Sequence, residues 1–66
     1  MKLSINSEPR EVADALTIAK LLAELGFGDR RVAVAVNREV ISRARHETHV
    51  LGDGDRIEIV QAVQGG

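Results

Sequence analysis

Sixty-six residues without a cysteine make one small domain, with neither a disulfide framework nor a cysteine metal site. Nine basic against ten acidic side chains leave a net charge of −1, and there is one Phe with no Trp or Tyr, which excludes a nucleic-acid binder built on basic stripes or stacking rings. A hydrophobic content of 44% is enough to drive folding, so a disordered chain is not expected either.

Along the chain, Met1 to Asn6 alternates, with Leu3 and Ile5 on one face and Lys2 and Ser4 on the other, and reads as a short strand. The same stretch has no long apolar run, so neither a signal peptide nor a membrane span is expected, and the cytoplasm is the expected compartment. Asn6-Ser7 reads as a turn and Glu8 to Val12 as a returning strand, with Pro9 near its start, where a missing N–H costs least. Ile18, Leu21, Leu22 and Leu25 then fall at i, i+3, i+4 and i+7, one apolar face of a helix. Thr17 is its N-cap, Leu16 and Leu21 occupy the staple positions, and Gly26 stands where a left-handed residue ends a helix. Phe27 is placed to fold back on Leu22. About two turns of helix are not stable alone, so this face must pack on a sheet.

Val32-Ala33-Val34-Ala35-Val36 reads as a strand with valines on one face and alanines on the other. Asn37-Arg38 is a tight turn, and Glu39 to Ser42 returns as a strand. Arg43 to Thr48 is polar and irregular. Val50 and Leu51 form an apolar anchor ahead of the turn Gly52-Asp53-Gly54-Asp55, and Arg56 to Val60 is the last strand, with Ile57 and Ile59 facing inward. Strand, strand, helix, strand, strand, strand is an α+β layer pair, one helix covering one side of a sheet. Periodicity does not decide which strands pair, although the last can lie beside the first.

Most constellations that carry chemistry fail on inspection. His46 and His49 are three apart but lack a third ligand in sequence, and read as two solvated loop histidines. Gly52 to Asp55 is too short for a calcium loop, which spreads its ligands over about twelve residues. Gly26-Phe27-Gly28 follows a helix, whereas a phosphate-cradling loop follows a strand. No Ser/His/Asp set stands out, so an enzyme in its own right is not expected.

What remains is the close of the sequence, Gly65-Gly66 after an alternating apolar segment. Residues without Cβ atoms let a strand's tail thread a narrow cleft. The α-carboxylate that arrives there is ionised at neutral pH, since such groups titrate near about 3.3–3.7. A carboxylate is a poor acyl donor until a partner enzyme joins it to AMP, after which a sulfur or nitrogen nucleophile can attack. Without cysteine, sulfur could be carried only on that carboxyl, as a thiocarboxylate.

Val34-Ala35-Val36-Asn37 with Val40 and Arg43, then Gly54-Asp55-Arg56-Ile57-Glu58-Ile59-Val60, then Ala62-Val63 and Gly65-Gly66, in this order and at this length, resemble the ThiS family, ubiquitin-like sulfur carriers of thiamine biosynthesis. The resemblance spans essentially the whole chain. Ser42 and His46 depart from it, standing where many members carry Pro and Trp, and Asn6-Ser7 replaces a commoner Asn-Gly turn.

The resemblance implies a β-grasp fold: a mixed sheet of four to five strands packed on one main helix, with residues 1–61 as the body and 62–66 as a flexible tail. It also implies a mechanism. A ThiF-type adenylating enzyme, using its own ATP and magnesium, forms an acyl-adenylate on Gly66. A persulfide from a cysteine desulfurase relay converts it to a thiocarboxylate, and a thiazole synthase (ThiG) takes the sulfur. The carrier binds no cofactor or metal and is expected to be monomeric when free. Gly65 provides clearance, Ala62, Val63 and Gln64 lie along the partner as an extended arm, and Ala33 and Ala35 are the candidate docking patch. Arg43 and Arg56 are either partner contacts or solvated charges. Two alternatives share the chemistry: a MoaD-type sulfur carrier for molybdopterin synthesis, usually longer and with prolines before the glycines, and a ubiquitin-like protein modifier.

Overall fold

The computed structural model describes residues 1–27 and 31–61. Within them the chain forms strands β1 (Lys2–Ile5) and β2 (Glu8–Glu11), helix α1 (Ile18–Glu24), strands β3 (Val32–Val36) and β4 (Glu39–Ile41), a short 3-10 turn (Arg43–Arg45) and strand β5 (Arg56–Gln61). The strands build one mixed sheet in the order β2-β1-β5-β3-β4. The last strand is therefore central. It runs parallel to β1, with Ser4 opposite Arg56 and Ile5 opposite Ile57. It runs antiparallel to β3, from Val36 opposite Ile57 to Val32 opposite Gln61.

Both hairpins close through two left-handed residues: Asn6 and Ser7 at φ +50° and +72°, Asn37 and Arg38 at +51° and +70°. This is the geometry whose twist matches paired strands, and Asn tolerates it better than most side chains. The loops fix the registers Ile5 opposite Glu8 and Val36 opposite Glu39.

Helix α1 starts where Thr17 Oγ1 accepts the Lys20 N–H at 3.2 Å. Two more of its orphan donors are met from the loop before β5: Ala19 N–H donates to the His46 carbonyl at 2.8 Å and Ile18 N–H to the His49 carbonyl at 3.2 Å. At the other end Gly26, at φ +86°, donates to Ala23, and Phe27 donates to the Leu22 carbonyl at 2.9 Å. This pair of reversed bonds is a Schellman close. The buried face, Ile18, Leu21 and Leu22, meets Leu3, Val34, Val36, Ile41, Ile57 and Ile59 from the sheet, with Leu16 and Leu51 completing the core.

The segment after β4 departs from expectation. Arg43–Arg45 is a 3-10 turn, and it carries His46 inward. His46 is 7% exposed, so it is a core residue, whereas a solvated loop histidine was expected. Its Nε2 lies 3.1 Å from the Ile41 carbonyl oxygen. A carbonyl can only accept, so this nitrogen carries the proton. His49 is half-buried. Of the anticipated anchor, Leu51 is buried and Val50 stands 57% exposed. Among the described residues no three His, Cys, Asp or Glu side chains are grouped to hold a metal, and no helix is long and apolar enough to cross a membrane.

Candidate functional site

Strand β5 leads into the segment the sequence singles out, and it is held on both flanks. On one side Ser4 N–H donates to the Asp55 carbonyl at 3.0 Å and Asn6 N–H to the Ile57 carbonyl at 2.9 Å. On the other, Asn37 N–H donates to the Arg56 carbonyl at 2.8 Å, ahead of the β3 ladder. Alternate residues of β5 face the core, so Ile57 and Ile59 are buried while Arg56, Glu58 and Val60 project from the open face of the sheet.

That open face carries the expected docking alanines. Ala33 is exposed and Ala35 half-buried. Residues directly opposite in a sheet share a face. Ala33 lies opposite Val60, and Ala35 lies between Glu58 and Val40. The alanines are thus the floor of a larger apolar patch whose raised parts are Val40, 73% exposed, and Val60, 64% exposed. Neither valine was singled out from sequence. The parity of their strands was the available signal: each adjoins an inward isoleucine, Ile41 or Ile59, and so must point outward.

Beside the patch, a concavity of about 390 Å³ is lined by Ser4, Ser7, Arg38, Arg56, Ile57 and Glu58. Arg56 opens β5 at this concavity, whereas Arg43 opens the 3-10 turn. Both are exposed, and among the described residues neither forms an ion pair. The remaining candidates, Ala62, Val63, Gln64, Gly65 and the acceptor Gly66, lie outside the described residues, as does the proposed boundary of a separate tail at residue 62.

A five-stranded mixed sheet over one helix, with its central strand delivering the end of the sequence, agrees with the comparisons. The ThiS family model matches residues 3–66. The chain belongs to the ThiS family. Its members are sulfur carriers of thiamine biosynthesis, carriers rather than enzymes. The chain is 36% identical over 62 residues to the sulfur carrier protein ThiS of Thermus thermophilus, covering 94% of this chain and 95% of that one. It is 41% identical over 66 residues to a thiazole synthase of Paramagnetospirillum magneticum, where it spans all of this chain but 20% of the larger protein. The crystal structure of thiamine biosynthesis protein ThiS from Geobacter metallireducens superposes with a TM-score of 0.86 at 32% identity, covering 100% of both chains. The fold is therefore the ThiS-like β-grasp, with its five strands and one helix as described.

Proposed function

We propose that this ThiS-family carrier acts through the carboxyl of Gly66, which an adenylating enzyme of the ThiF type activates and which then delivers sulfur to a thiazole synthase. The carboxylate oxygen attacks the α-phosphorus of ATP and pyrophosphate leaves. The terminal sulfur of a persulfide, supplied by a cysteine desulfurase relay, attacks the acyl carbon, and AMP departs with the oxygen. A thiol then cleaves the S–S bond of the acyl disulfide, takes the outer sulfur as a new disulfide, and leaves a thiocarboxylate on Gly66. ATP and magnesium belong to the partner, and the carrier holds no cofactor of its own. The cytoplasm, where ATP is plentiful, is the compartment that suits this chemistry.

The observation that carries the reading is the central position of β5. The strand that ends at Gln61 is gripped by β1 and β3, so the body presents the following residues as an arm on a firm base. Ala62, Val63 and Gln64 extend along the partner, where backbone pairing of the kind seen in strand addition is available to them. Gly65 lets the arm pass a close-fitting channel. The open face docks the partner, with Ala33 and Ala35 as floor and Val40 and Val60 as contacts. That a thiazole synthase contains a segment 41% identical to this chain supports pairing the two activities.

The test is reconstitution. With a thiazole synthase the loaded carrier supports thiazole formation. Dithiolene formation with the large molybdopterin synthase subunit alone would instead favour the MoaD-type role, and lysine-linked conjugates in cells would favour a protein modifier.

A further inference from the structure

Asn6 and Asn37 occupy the same place in the two hairpins. Each is the first of two turn residues, at φ +50° and +51°. Each sends its side-chain amide sideways to β5. Asn37 Oδ1 accepts the Arg56 N–H at 3.0 Å, and its Nδ2 donates to Asp55 Oδ1 at 3.0 Å, at the start of the strand. Asn6 grips the other end. Its Oδ1 accepts the Ile59 N–H at 2.8 Å and its Nδ2 donates to the Ile59 carbonyl at 3.3 Å.

The second clamp sits at a particular point in the ladder. Odd-numbered residues of β5 turn their backbone groups toward β1, where the carbonyls of Asp55 and Ile57 accept from Ser4 and Asn6. At Ile59 the chain of β1 has already turned away into Ser7, and the Asn6 amide, one acceptor and one donor, takes the place of a peptide group. The next backbone pair on that flank belongs to Gln61, the last residue of β5. Asn6 is therefore the final lateral hold on this side before residues 62–66.

We propose that Asn6 is a positioning residue for sulfur loading: its amide, paired with both backbone groups of Ile59, fixes the direction in which the acyl-bearing arm leaves the sheet. The inference rests on the carrier reading given above. Five extended residues reach at most about 17 Å, so a tilt of about 10° at their root displaces the far end by about 3 Å. A misplacement of about 1 Å at a reacting centre can cost on the order of a hundredfold in rate. The partner's grip on the arm recovers part of that loss, and about tenfold is the expected net effect.

Asn6→Gly is the informative variant, because glycine accepts φ +50° without strain and so removes the amide while sparing the turn. Asn37→Gly is its control: it removes an equivalent amide at the far end of the same strand. Thiocarboxylate formation is followed by mass with the cognate adenylating enzyme, ATP and a sulfur donor, at a temperature where all three proteins are folded. The expected result is a fall in kcat of about tenfold for Asn6→Gly with KM within about twofold, faster amide exchange at Ile59, and wild-type kcat for Asn37→Gly. Wild-type kcat in Asn6→Gly would overturn the proposal. An equal fall in both variants would also overturn it, since that is general loosening of the sheet. If wild-type protein itself gains no sulfur, the carrier mechanism fails rather than the clamp.

Discussion

His46 illustrates how one side chain ties the helix to the sheet edge. Its ring holds the Ile41 carbonyl at the end of β4, and its own carbonyl accepts the Ala19 N–H in the first turn of α1. Replacing His46 by Ala leaves a void and an unsatisfied buried carbonyl, which together should cost about 2–3 kcal/mol in chemical denaturation. An unchanged midpoint would show that the ring does not contribute as packed. The family resemblance pointed to a large ring at this position, but local sequence did not: Arg43 to Thr48 is polar throughout, and burial of a single ring leaves no periodic trace. Asn6 was legible as a turn residue and not as a clamp, because its partner Ile59 lies 53 positions away.

At the scale of elements, local signals and structure agree wherever the determinant is local. Thr17, the apolar stripe and Gly26 each act within one or two turns, and the helix starts and stops where they place it. Thr17→Ala should cost about 1 kcal/mol by loss of the cap. Gly26→Ala should cost about 1–2 kcal/mol, because a Cβ is strained at φ +86° although open space surrounds it. Both values are read from urea midpoints, and a stabilising Gly26→Ala would contradict the left-handed close. Strand existence and inward faces were likewise legible from alternation. The pairing of β1 with β5 was not, because a parallel neighbour reached across the whole chain is decided by how the helix packs and leaves no mark in either strand. The 3-10 turn and the exposure of Val50 escaped for a related reason, since both depend on where Leu51 and His46 are drawn into the core.

The whole molecule separates its two sheet faces by task. One is filled by α1 and the core; the other leaves Val40 and Val60 on a floor of small side chains. Val40→Asp places a charge on that face without touching the core. Stability should move by less than about 0.5 kcal/mol, while KM for the adenylating enzyme rises several-fold and kcat is retained. A variant with unaltered KM would remove the open face from the docking account.

A small body holding one activatable carboxyl on its central strand makes a claim that a balance of masses can settle. Purified protein, incubated with its adenylating enzyme, ATP and a sulfur donor, should become heavier by about 16 Da as sulfur replaces oxygen in the acyl group, and protein lacking Gly66 should not. A full-length chain whose mass stays constant while the same enzyme loads another carrier, or a gain that persists without Gly66, would contradict it.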